Sequence, residues 1–113
     1  MARYVITFPA RTMILNDDEL VQAGIDAHAV VDELKAAGVY ITASGMDPEM
    51  PAVLVSEDGT VAPASYPDTA GFNGGITIIE VETRDEAVMW AAKIAKACRC
   101  PQELREFMYD PGV

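Results

Sequence analysis

The stretch from Asn16 to Gly45, NDDELVQAGIDAHAVVDELKAAGVYITASG, decides how the rest of the chain must be arranged. Asn16 stands before Asp17, Asp18 and Glu19, so a capping side chain, first-turn acids that suit the helix dipole and a reciprocal Glu fall at the expected positions. Leu20, Ala23, Ala27, Val30, Val31 and Leu34 then recur at three- and four-residue spacing and predict one apolar helical stripe. Gly38 is a natural stop. Val39 to Gly45 follows as a strand, with Val39, Ile41 and Ala43 alternating with Tyr40, Thr42 and Ser44, and Met46-Asp47-Pro48 ends it.

Upstream, Arg3 to Phe8 predicts a first strand in which Tyr4, Ile6 and Phe8 share a face, and Pro9 closes it. Downstream, Ala52 to Ser56 and Thr60 to Ala64 flank Glu57-Asp58-Gly59, whose Asp-Gly pair marks a tight hairpin. Ser65 to Gly75, with Pro67, Gly71, Gly74 and Gly75, is a loop. Ile76 to Glu82 is the strongest strand, apolar at nearly every position through Val81, which predicts burial on both faces. Thr83 with Glu86 three residues on predicts a second capping box and a helix through Ala87, Val88, Ala91, Ala92, Ile94 and Ala95, ended by Pro101. Gln102 to Met108, with Leu104 and Phe107 among charges, predicts a last strand at a sheet edge.

The order strand, helix, strand, hairpin, strand, helix, strand is the split βαβ pattern of an α+β, ferredoxin-like βαββαβ fold with an inserted hairpin. Both helices are expected on one face of an antiparallel sheet. The other face, carrying Val5, Thr7, Tyr40, Thr42 and either Ile78 or Thr77, is too apolar to stand in water, and a second copy of the chain is the expected cover.

Half of the 113 residues are apolar, enough for one core and one domain over residues 1–113. Eight basic residues against eighteen acidic ones give a net charge of −10, which repels phosphate backbones and anionic headgroups, so neither nucleic acid nor a membrane surface is an expected partner. The opening MARYVITFPARTM has too short an apolar run for a signal peptide or a spanning segment, and a cytoplasmic location is expected. Cys98 and Cys100 form a C-x-C pair, poor in spacing for a local disulfide and incomplete as a metal site, so reduced thiols near a helix end are expected and no metal is implied.

His28 is the only histidine, and its unperturbed pKa makes it the natural carrier of proton transfer near neutral pH. At 100° per residue it falls beside the apolar stripe with Val21, Ile25, Asp32 and Lys35, on a face too apolar at one end to be plain solvent surface. A general base usually needs a second group to fix its tautomer. Three acids are candidates: Asp32, one helical turn away, where such pairs are usually simple surface contacts; Asp47, after the strand end; and Asp68, in the Gly-rich loop. Tyr66, Phe72 and Trp90 are candidate aromatic walls of a small-molecule pocket, with core or loop packing the competing reading. Arg11 is either an anion-binding group or an ordinary surface arginine. No phosphate loop, dinucleotide fingerprint, metal-ligand cluster or serine elbow occurs, so the expected mechanism uses no cofactor.

The segment from His28 to Gly45 resembles the YciI-related family, also called the DGPF-domain family, in which a helix-borne His precedes an A-x-G-type strand end at this spacing. Gly45-Met46-Asp47-Pro48 is similar to the family's G-L-x-P turn, Asp58-Gly59 to its hairpin, Ala70-Gly71-Phe72-Asn73-Gly74 to its A-G-F-x-G loop, and Ile79-Glu80-Val81 with Asp85-Glu86-Ala87 and Trp90-Ala91 to its IEV, DEA and WA run. The resemblance implies a domain that pairs sheet to sheet as a dimeric α/β barrel. It also implies a small cytosolic protein, with some relatives acting as lyases or dehydrochlorinases through a His–Asp pair. Two features depart from the family's pattern. The acid that ends the first strand in YciI-type members is replaced by Ala10, and the Asp of the DGPF motif falls near Ser65, with only Pro67 retained. Either another carboxylate has taken over, with Asp47 and Asp68 the candidates beside His28, or the protein is a dimeric binding or accessory module without turnover. In the catalytic reading His28 moves a proton on a small cyclic or aromatic molecule held by Ser65, Tyr66, Phe72 and Arg11.

Overall fold

The computed structural model describes all 113 residues. Strand β1 (Ala2–Phe8) is followed by a 3-10 turn at Ala10–Thr12 and by helix α1 (Asp17–Ala36). The α1 start is the reciprocal cap expected from the sequence: Asn16 Oδ1 accepts from the Glu19 N–H at 2.8 Å, and the Asn16 N–H donates to Glu19 Oε1 at 3.2 Å. At the other end Gly38 takes φ +75°, which brings its N–H to the Lys35 carbonyl and the Val39 N–H to the Leu34 carbonyl. Last-turn carbonyls are thereby satisfied, and only a residue without Cβ takes that backbone freely.

Strand β2 (Tyr40–Gly45) comes next, then a hairpin of two short strands, β3 (Leu54–Val55) and β4 (Val61–Ala62), then β5 (Gly75–Val81), helix α2 (Arg84–Cys98) and β6 (Glu103–Glu106). The main sheet has the order β2-β5-β1-β6 with every neighbouring pair antiparallel, and the hairpin forms a separate two-stranded sheet. Two helices with a four-stranded antiparallel sheet in this order are compatible with a ferredoxin-like fold. No helix is long and apolar enough to cross a membrane.

Directly paired residues share a face of the sheet. Tyr4 opposes Ile79 and Ile6 opposes Thr77, and this face is buried against Val30, Leu34, Ala87, Trp90 and Ile94 of the helices. Ile6, Leu34, Ile79 and Val81 are the largest side chains fully removed from solvent. Burying each contributes on the order of 1.5–3 kcal/mol relative to leaving it in water. Lys93 of α2 and Glu33 of α1 meet at 2.8 Å across the helix pair, an exposed bridge that adds little.

Three details differ from the sequence reading. The β2 register shifts between Tyr40, paired with Ile79, and Thr42, paired with Ile78, so Ile41 is an extra residue. The bulge puts Tyr40 on the helix side, beneath the Lys35 ammonium 5.1 Å from its ring, whereas simple alternation places it on the far face. Of the two residues left open for the far face, Ile78 is the one that lies there, and Thr77 is on the helix side. In this single chain β5 is fully buried on the helix side only; Ile76, Ile78 and Glu80 stay half-buried.

The third concerns α2. Thr83 Oγ1 accepts from the Glu86 N–H at 3.2 Å, but the Glu86 side chain does not return the bond, so the cap is single. The helix ends before Pro101, as expected, through Arg99 in the left-handed region at φ 58°. Arg99 is held there by Asp26 of α1 at 2.9 Å and by the Ala97 carbonyl.

The far face is mixed. Val5, Ile76, Ile78 and Thr42 form its apolar part, while Arg3 pairs with Glu80 and Arg105 with Glu103, each at 2.8 Å. The Arg105 guanidinium also lies 6.0 Å from the centre of the Phe72 ring.

Candidate active site

A cavity of about 630 Å³ lies between α1 and the end of the sheet where β1 stops and β5 begins. Its α1 wall is made by Leu20, Gly24, Ala27, His28, Val31 and Leu34, which follow the three- and four-residue repeat of one helical stripe. His28 lines the cavity from this wall, but it stays exposed, at the open edge of the stripe beside which the sequence places it. Leu20, at 52% exposure, forms the rim rather than part of the closed core. Val21 and Ile25, on the outer side, are 65% and 58% exposed.

Opposite α1, the wall comes from Ala43, Ser44 and Gly45 of β2, from Gly75 to Thr77 of β5 and from Phe8. Met46, Pro48, Asn73 and Gly74 close one end, with Ala10 and Met13 beside them, and Ile94 and Cys98 of α2 complete the lining. The connections that build this end are tied by short hydrogen bonds. The Met46 N–H donates to the Gly74 carbonyl at 2.9 Å, and the Ala10 N–H donates to Asn73 Oδ1 at 3.0 Å. The loop after β4 is thus pinned to both the end of β1 and the end of β2.

The lining contains no Lys, Arg, Asp or Glu. His28 is its only imidazole. The other ionisable group, the Cys98 thiol, is pushed up to about 11, first by burial and then by neighbouring Cys100. Cys98 is therefore a neutral apolar wall at physiological pH and a poor nucleophile. Both cysteines are free and buried. No three His, Cys, Asp or Glu side chains come together in a cluster that would hold a metal ion.

The imidazole of His28 makes no hydrogen bond to another side chain, and no carboxylate stands within ion-pairing distance of it. Asp32 is exposed one turn further along α1. Asp47 follows Met46 but turns to its own loop, where Oδ1 accepts from the Glu49 N–H at 2.9 Å. Asp68 lies in an exposed 3-10 turn at Pro67–Thr69. Neither Asp47 nor Asp68 lines the cavity, and the same holds for Arg11, Ser65, Tyr66 and Phe72. Arg11 sits exposed in the turn after β1, Ser65 and Tyr66 precede the 3-10 turn, and Phe72 lies against Arg105. Trp90 is core, 7% exposed.

Of the residues singled out from the sequence, His28 alone lines the cavity. Asn73, Thr77, Ser44 and Cys98 also line it without having been picked out as site residues. Asn73 had one available signal, its place as the polar residue in a Gly-bounded loop motif. Thr77 had another, a hydroxyl in the middle of an otherwise aliphatic strand.

A comparison with curated proteins finds none that matches the chain. The family model described as the YCII-related domain matches residues 2–99 of the 113, which takes in both helices, the hairpin, every strand but β6 and the whole α1 wall of the cavity. The resemblance carried by the His28 to Gly45 segment and by the loop and strand motifs after it thus extends over most of the chain, which belongs to the YCII-related family.

Proposed function

We propose that the cavity is a small-molecule site in which His28 acts as general acid and base on a small cyclic or aromatic compound, in an isomerisation or elimination that needs no cofactor. The observation that carries this reading is a single one: an apolar space of about 630 Å³, ample for such a ligand, has the chain's one imidazole on its wall. The YCII-related membership agrees with it. Asp47 and Asp68 enter the reaction only if their loops close over bound ligand, and Ser65, Tyr66, Phe72 and Arg11 contribute to binding on the same condition.

A second reading is favoured by the unpartnered imidazole: a binding or accessory module without turnover. Thermal-shift screening of small cyclic and aromatic metabolites identifies ligands, since a compound that prefers the folded state raises the melting temperature. Wild type and His28→Ala are then compared with the best ligand. Binding in both with reaction only in wild type supports catalysis. Binding in both with no reaction in either supports the module.

We further propose that the working unit is a homodimer joined through the far sheet face as a dimeric α/β barrel. The isolated chain exposes 7968 Å², against roughly 6,100 Å² for a compact monomer of its 12.2 kDa mass. Its radius of gyration of 15.5 Å also exceeds the roughly 13 Å of a compact chain this long. The surplus area, on the order of 1,900 Å² per chain, is at least what a stable interface removes from each partner. Sedimentation equilibrium at twice 12.2 kDa is the expected result, and a 12.2 kDa species at micromolar concentration rules the pair out. Two buried free thiols fit a reducing, cytoplasmic setting.

A further inference from the structure

We propose that the ligand of this cavity is a ring compound with its polar groups confined to one edge, and that it enters with the apolar edge against the floor and the polar edge at the rim beside His28. The inference rests on the small-molecule reading above and adds which end of the ligand meets the imidazole.

Burial divides the lining into two levels. Phe8, Val30, Leu34 and Ile94 are each no more than 9% exposed and form an apolar floor where both helices meet the sheet. Thr77 and Cys98 are the only buried lining residues with a polar side-chain atom, and a thiol is a weak hydrogen-bonding group. No side-chain nitrogen or oxygen shut off from solvent lacks a partner in the chain, so the floor holds no polar atom that depends on a ligand. His28, Ser44 and Asn73 also line the cavity but remain exposed, which places an imidazole, a hydroxyl and an amide at the open side. Gly24, one turn before His28 on the same helix face, keeps that side clear, since even an added Cβ would meet nothing within 4 Å.

Desolvation then sets the orientation. A polar or charged group carried to the floor gives up its water among aliphatic side chains, and no Lys, Arg, Asp or Glu of the lining offers it a countercharge. The same group held at the rim stays hydrated, while the opposite edge of the ring gains by leaving water for the floor. Bonds beside the ligand's polar substituent, not those of its far edge, are therefore the ones presented on the His28 side.

The probes are 2-naphthol and 2,6-dihydroxynaphthalene, which share one shape and differ in a second hydroxyl at the opposite end, titrated calorimetrically into the full chain. The expected result is roughly tenfold tighter binding of 2-naphthol, because the second hydroxyl of the diol must enter the floor. Thr77→Val, which keeps the packing shape, should leave 2-naphthol affinity within about twofold of wild type, since the deep end of the ligand is apolar. Nuclear Overhauser contacts read the orientation without a variant: ring protons far from the hydroxyl should meet methyls of Leu34 and Ile94, and those next to it methyls of Leu20 and Met46. Equal affinity for the two probes, a large loss of 2-naphthol binding in Thr77→Val, or the reversed contact pattern overturns the inference and leaves the cavity a ligand site. Failure of both probes to bind overturns the cavity as a ligand site and the inference with it.

Discussion

Gly74 and Phe8 approach so closely that a Cβ on Gly74 would stand 2.1 Å from the Phe8 carbonyl oxygen. That contact sets the end wall of the cavity, because it fixes the loop bearing Asn73 against the end of β1. Gly74→Ala must move backbone on one side or the other, and a loss of about 2–3 kcal/mol by urea unfolding is expected, at the upper end of overpacking effects. Gly71→Ala is the matched control: its Cβ would meet only Pro9 at 3.7 Å, an ordinary contact, so its stability should stay within about 1 kcal/mol of wild type.

Leu34 and Leu20 stand on the same helical stripe with opposite consequences. Leu34 is fully buried, and Leu34→Ala should cost about 2–5 kcal/mol in chemical denaturation. Leu20 is half exposed at the cavity rim, so Leu20→Ala should change stability by less than about 1 kcal/mol while weakening ligand affinity in the same preparation.

Gly24 leaves room on the α1 wall, since a Cβ there would meet nothing within 4 Å. Gly24→Ala should stabilise the helix by about 0.5–1 kcal/mol, read as a raised urea midpoint. Gly24→Leu should fill the space and abolish binding of any ligand found by thermal shift, with the far-ultraviolet circular dichroism unchanged.

Asp26 has its carboxyl held below its ordinary value, first by the Gln22 amide and then by Arg99, whose guanidinium lies 2.9 Å away. A lowered folded-state value means that the unfolded chain binds the proton more readily, so the contribution is present above about pH 4 and is lost as pH falls through the folded value. Arg99→Ala should raise the Asp26 titration midpoint in a carboxyl-detected NMR titration. It should also loosen the end of α2, because the left-handed residue there is tied to α1 by this pair.

Cys98, neutral until about pH 11, should react with iodoacetamide far more slowly than an unfolded thiol at pH 8. Its alkylation should speed up as pH rises toward 11, and bound ligand should slow it, because the thiol is part of the cavity wall. Rapid modification at pH 8, read by mass spectrometry, would contradict the burial found here.

The α1 start at Asn16, the turn at Gly38, the Asp58-Gly59 hairpin and the edge strand near Leu104 were legible because each depends on chemistry within a few residues. The face of Tyr40 was not, since one inserted residue at Ile41 breaks the alternation between Tyr40 and Thr42 and nothing local announces it. The α2 end before Pro101 was legible too, whereas the tie of its cap residue Arg99 to Asp26, far apart in sequence, was not.

The site divides along the same line. Residue types and spacing alone determined that the chain has a single histidine, a strongly acidic balance of charge, and a helix that presents His28 next to its apolar stripe. Only the tertiary structure decided what faces that histidine, because Asn73, Thr77 and Cys98 reach the same cavity from a loop, a central strand and the second helix. Their meeting depends on strand order and on the close contact of Gly74 with Phe8, which are long-range properties that no local pattern encodes.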